Sequence, residues 1–178
     1  MASVSYLPQY TVADYELWAG DWELWDGRAI AMSPSPGIPH QRVASNLHVQ
    51  IHGLLKGDSC PADCRVLYEI DWRVSAHTVV RPDLLVLSEE TDSEWVEKRP
   101  EMVVEILSSS TRNKDLTAKR ELYAVEGVPI YLVVDPTDES ILILELDGEG
   151  TYRELNPSDS FELHEGCVLK LDQAALFA

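Results

Sequence analysis

The chain has 178 residues and a mass of 20.0 kDa, with 45% hydrophobic and 25% charged residues, figures that suit one globular domain with a substantial core. Its 14 basic and 31 acidic residues leave a net charge of −17, which excludes a protein that coats nucleic acid with a basic surface and disfavours docking on anionic lipid. A metal-dependent enzyme acting on phosphates stays open, because a bound cation reverses the local sign.

Thr11 to Trp18 reads as a short helix capped by Thr11. Trp22–Trp25 and Arg28–Met32, apolar-rich runs separated by Asp26-Gly27, predict a β-hairpin, since both turn positions need positive φ. A proline-rich bend follows, then a helix from about His40 to Leu55 with an apolar stripe of Val43, Leu47, Ile51 and Leu54. Residues 65–74 alternate as one half-buried strand, with Val66, Tyr68, Ile70, Trp72 and Val74 on one face. Asp83–Leu87 and Met102–Leu107 read as central strands buried on both faces. A helix over roughly Arg112 to Glu126 is stopped by Gly127. Strands are then expected at Pro129–Val134, Ile141–Leu146, Tyr152–Leu155 and Val168–Leu171.

This order predicts an α/β (α+β) domain with a mixed sheet. Residues 1–178 read as one unit, with a core at about 10–136 and an acidic, β-rich extension at 137–178. Residues 135–178 carry 11 acids against Arg153 and Lys170, so more than half of the net charge lies in the last quarter. A solvated acidic face accounts for it, as would a partner-binding tail. The three cysteines suggest no disulfide framework and hence a reducing compartment. No basic, apolar leader begins the sequence and no apolar run reaches membrane-spanning length, so a cytoplasmic protein is expected.

The informative anomaly is a pair of carboxylates in strands that otherwise read as core. Asp83 opens RPDLLVL and Glu105 sits inside MVVEIL. Burying an ionised carboxylate costs several kcal/mol unless it is compensated. One divalent cation compensates two, and hard cations prefer oxygen ligands. The alternative is separate pairing with Arg81 and Arg112. In the following helix Asp115 and Lys119 stand at i, i+4, with Tyr123 one turn on. Lys119 either pairs with Asp115 at the surface or reaches back over the sheet to Glu105. His48 and His52 have the spacing of HExxH without its glutamate, which disfavours a zinc hydrolase.

RPDLLVL followed by VVEILSSSTRNKDLTAKRELYAVEGVPIYLVVDP resembles the restriction-endonuclease-like PD-(D/E)XK superfamily. More closely, with YELWAGDWELWDGRAIAMSPSPGIPHQRVASNLHVQI ahead of it, the chain resembles the Uma-two family of bacterial endonucleases. The resemblance spans roughly Tyr10 to Pro136. It implies a restriction-endonuclease-like mixed sheet flanked by helices, with Asp83, Glu105 and the carbonyl of Ile106 as ligands to Mg²⁺ or Mn²⁺. The superfamily lysine, expected two residues after the glutamate, is replaced here by Leu107. In the Uma-two group it moves to the next helix, which implies Lys119. Glu23 and His40 match further polar positions of the family. His40 either faces the sheet or bonds local backbone, and Glu23 either joins the site or is exposed.

The resulting expectation is a metal-dependent DNA endonuclease. Asp83, Glu105 and Lys119 would be catalytic, and Arg112, Lys114 and Arg120 would steer the strand. The rival expectations are a catalytically idle interaction module of the same fold, within a homo-oligomer, and a hydrolase of smaller phosphates or nucleotides.

Overall fold

The computed structural model describes residues 8–32, 34–61, 63–88, 92–164 and 166–178. Helix α1 (Val12–Tyr15) is closed by a reciprocal capping box between Thr11 and Asp14. Strands β1 (Trp22–Trp25) and β2 (Arg28–Ala31) form the expected hairpin. Asp26 and Gly27 take φ of 46° and 76°, and a Cβ on Gly27 would crowd the Tyr10 carbonyl at 3.3 Å. Helix α2 (Ile38–Leu55) starts two residues before the expected His40 because Pro39 suits its first turn.

The half-buried strand expected over 65–74 is two strands in different sheets. β3 (Arg65–Tyr68) ends where Glu69 adopts φ of 41°, and β4 (Trp72–Ser75) restarts beyond it. The backbone N–H of Glu69 donates to the Asp83 carbonyl (3.1 Å) as the chain leaves the first sheet. An alternating pattern cannot reveal a left-handed residue that leaves the alternation intact on both sides.

β5 (Thr78–Val80), β6 (Leu84–Leu87) and β7 (Met102–Ile106) follow. The expected single helix is α3 (Arg112–Lys114), a π-helical turn (Asp115–Lys119) and α4 (Arg120–Val125). Gly127, at φ of 74°, ends it as expected. β8 (Ile130–Asp135), β9 (Ser140–Leu146), β10 (Tyr152–Leu155), β11 (Phe161–His164), β12 (Cys167–Leu169) and α5 (Gln173–Phe177) complete the chain. β5, β11 and α5 were not legible in the sequence.

Six strands form the main sheet in the order β10-β9-β8-β7-β6-β3. Only β7 and β8 run parallel in it, joined by the α3–α4 crossover. A second sheet, β2-β1-β5-β4, carries the N-terminal hairpin. On one face of the main sheet α2, β11, β12 and α5 cover Val66, Leu84, Val86, Met102, Val104 and Ile106. On the other, Tyr123 and Trp72 pack with Leu85, Val103, Tyr131 and Val133. The period of two therefore turns Val103, Glu105 and Leu107 towards the crossover helix.

Cys60 and Cys167 are disulfide-bonded across a sequence separation of 107, and Cys64 is a buried free thiol. The expectation of no disulfide is corrected. The partners lie too far apart in sequence for spacing to suggest them, and the cysteine argument for a reducing compartment falls with it. Among the described residues no helix is long and apolar enough to cross a membrane.

Candidate active site

β6 and β7 pair antiparallel with Leu84 opposite Val104 and Leu85 opposite Val103, and one further step sets Asp83 opposite Glu105. Like charges at directly opposed positions repel. Here they sit at the wall of one cavity of about 280 Å³, shared with Glu23, His40 and Lys119.

Glu105 is 2% exposed. Its Oε1 accepts from Lys119 Nζ at 2.7 Å and from the Tyr123 hydroxyl at 2.6 Å. Lys119, itself buried, also lies 3.5 Å from Glu23 Oε1 and 3.6 Å from Asp115 Oδ1. The π turn, a form that recurs at functional sites, spans both Asp115 and Lys119 and buries both. Burial opposes the charge on Lys119, but Glu105, Glu23, Asp115 and Asp83 outweigh it and hold the ammonium protonated. The Glu105 carboxyl is pushed well above the ordinary range by burial first, with Asp115 and Asp83 acting the same way against Lys119. Among the described residues neither oxygen of buried Asp115 has a hydrogen-bond partner, and burial raises that carboxyl too.

Asp83 is more open. Its Oδ2 accepts the Ile106 backbone N–H at 2.6 Å, and its Oδ1 stands 3.3 Å from His40 Nε2. Burial lowers the readiness of His40 to protonate, but Asp83 first and Glu69 after it outweigh burial and raise it.

Glu23, opposite Ile30 in the hairpin, is fully buried. Its Oε2 accepts from Lys114 Nζ (2.7 Å) and Trp25 Nε1 (3.0 Å), and its Oε1 from the Arg81 backbone N–H (3.1 Å). Burial resists ionisation of Glu23, yet the ammonium groups of Lys119 and Lys114, with the hydrogen bonds from Lys114 and Trp25, bring its carboxyl down to about 2.

The structure thus gathers Asp83, Glu105, Ile106, Lys119, Glu23 and His40. Separate arginine pairing does not occur: Arg81 binds Asp71 and Asp21, and Arg112 binds Asp135 with Asp138 beyond it. The three expected steering residues are differently placed. Arg112 and Lys114 are neutralised by Asp135 and Glu23, and Arg120 donates to the Tyr152 carbonyl (3.5 Å). Asp115 and Tyr123 join the site without having been assigned to it. Their signal was the i, i+4, i+8 spacing with Lys119.

The family model for Uma2, described as "Putative restriction endonuclease", matches residues 12–173. The chain belongs to the Uma2 family. A solved structure similar to it is "a putative nuclease belonging to DUF820 from Anabaena variabilis ATCC 29413", with a TM-score of 0.73 and 17% identity. The match covers 94% of this chain and 97% of that one. At that identity the likeness speaks to fold, and this Uma2 chain has the restriction-endonuclease-like mixed α+β architecture that its sequence implied. No curated protein matches it.

The donor chemistry of the Uma2 site fits a hard divalent cation. Asp83 and Glu105 supply facing carboxyls, burial first and then the neighbouring acids raise Glu105, and Ile106 contributes backbone to the same cavity. Among the described residues no three His, Cys, Asp or Glu side chains already stand in ligating position. Mg²⁺ does not require that, since it is commonly held by one or two carboxylates and keeps several waters.

Proposed function

We propose that this Uma2 chain is a metal-dependent phosphodiesterase acting on DNA, an endonuclease of the PD-(D/E)XK type. The observation that carries the reading is the facing of Asp83 and Glu105 across adjoining strands, with the Lys119 ammonium 2.7 Å from Glu105 at one cavity wall. Asp83, Glu105 and the Ile106 carbonyl would hold Mg²⁺ or Mn²⁺. When bound, such an ion lowers the pKa of a coordinated water and offsets charge on the scissile phosphate. Lys119 keeps its proton on Nζ and presents a donor where phosphate charge builds. Glu23 and Asp115 hold that ammonium from behind, and Tyr123 orients the Glu105 carboxyl. His40 braces Asp83 at the cavity rim.

Supercoiled plasmid incubated with the chain and Mn²⁺ should be nicked, and a chelator or Asp83→Ala should abolish the nicking. Equal nicking by Asp83→Ala would remove the assignment. A second reading has its own observation. Lys119 already compensates Glu105 and Glu23 without an ion, as an idle interaction module would require. That module would show no Mn²⁺ heat in calorimetry while remaining folded.

A further inference from the structure

With Arg112 and Lys114 spent on internal acids, the route by which a polyanion approaches so acidic a protein needs another cationic surface. Between Asp26 and Asp58 the chain carries no aspartate or glutamate, although it holds 31 acids in 178 residues. The same stretch contains Arg28, Arg42, Lys56 and three of the five histidines. Most of it is the approach to α2 and α2 itself.

α2 turns Val43, Leu47, Ile51 and Leu55 to the sheet. Asn46 and Gln50 hydrogen-bond the α5 segment on one flank. By helical period the opposite face carries Arg42, Ser45, Val49, His52 and Lys56, all exposed. On the remaining flank three rings stack in series. His52 lies over His48 (5.9 Å, 10° between planes), and His48 over Tyr68 of β3 (4.4 Å, 16°). A shallow groove of about 410 Å³ runs beside the stack, lined among the described residues by His48, His52, Lys56, Cys64 and Arg65 above Val66 and Leu67, none of them an acid. Asp63, two residues before Arg65, and Asp58, two residues after Lys56, are the nearest acids to it in sequence.

Planar rings ending at solvent, flanked by cations, form the combination that binds unpaired bases by stacking and their backbone by charge. The same helix begins at the active-site rim, where His40 meets Asp83. From His40 to Lys56 is about 24 Å along the helix axis, room for about seven nucleotides at a 3.4 Å rise. We propose that the outward face of α2, with the His52–His48–Tyr68 stack, is a docking track for single-stranded nucleic acid leading to the cavity. The track rests on the nuclease reading for its destination, though the binding itself does not require catalysis.

The test is fluorescence anisotropy of a labelled oligothymidine with the full chain in chelator, where no cleavage occurs, repeated with a duplex of equal length. The single strand should bind more tightly than the duplex, and more weakly as salt rises. Arg42→Glu/Lys56→Glu should weaken it about tenfold and flatten the salt dependence. His48→Ala/His52→Ala should weaken it about tenfold at any salt. Arg153→Glu, a charge reversal on a far strand, should leave affinity within about twofold and so exclude a mere net-charge effect. Unchanged affinity in both double variants, or a stronger preference for duplex, overturns the track. So does a change in sedimentation without a change in oligonucleotide affinity, which would make the face a contact between copies. Plasmid nicking with Mn²⁺ separates the two proposals. Nicking by both double variants at wild-type KM leaves the nuclease and removes the track, whereas binding lost in the variants with no nicking by wild type keeps the track and removes the nuclease.

Discussion

The two halves of the cavity are built on opposite principles. On the inner half Lys119 meets Glu105, Glu23 and Asp115, and every one of these groups is buried. On the outer half Asp83 keeps 22% of its side chain exposed and has a backbone N–H and His40 as neighbours. The inner half is bound to the fold, because removing its one shared cation leaves Glu105 and Asp115 without water or counter-charge. The outer half touches solvent, so its side chains can change without that penalty. Stability and activity should therefore separate between them.

Asp83→Ala should show that separation most sharply. Metal-dependent nicking should vanish, while urea denaturation registers a loss of about 1–3 kcal/mol for the Ile106 N–H left without its acceptor, less than for Lys119→Met. A fall in stability as large as that of an inner variant would dissolve the distinction. Lys119→Met should do the reverse to the fold, lowering stability by about 3–5 kcal/mol, since Glu105 and Asp115 are left buried without their cation and Glu23 keeps only Lys114. A midpoint in urea close to wild type would mean that these carboxyls are already neutral. Tyr123→Phe removes one donor from Glu105 Oε1 and keeps the ring, so about 1.5–3 kcal/mol should be lost.

A further effect is one of pH. The carboxyl of Glu23 sits at about 2 against an ordinary 4.5, a depressed value that makes ionised Glu23 stabilising. That contribution is complete above about 4.5 and disappears as pH falls towards 2. The stability gap between wild type and Glu23→Gln should accordingly narrow across that window, as thermal melts in a buffer series would reveal. A gap that is constant with pH would indicate that Lys119 and Lys114 do not act through charge.

How much of this was legible in the sequence follows from the range of each signal. The hairpin was readable because Asp26-Gly27 is a local requirement for positive φ. Asp83 and Glu105 were readable because carboxylates contradict the apolar runs around them. Lys119 was within reach by strand and helix rise alone, and the resemblance to the Uma-two family supplied its role. Other features depend on contacts distant in sequence. Glu23 alternates as a surface residue of a two-stranded hairpin would, and only the packing of that hairpin beside Arg81, Lys114 and Lys119 buries it. The neutralisation of Arg112 depends on Asp135, 23 residues away. The Cys60–Cys167 bond depends on β12 folding back over the end of α2, which no spacing announces.

A crystal soaked in Mn²⁺ and measured for anomalous scattering tests the central claim most directly. One strong peak is expected between Asp83 and Glu105, within bonding distance of an Asp83 oxygen and the Ile106 carbonyl. A soaked crystal with no peak there, and with Glu105 still held by Lys119 and Tyr123, would contradict it.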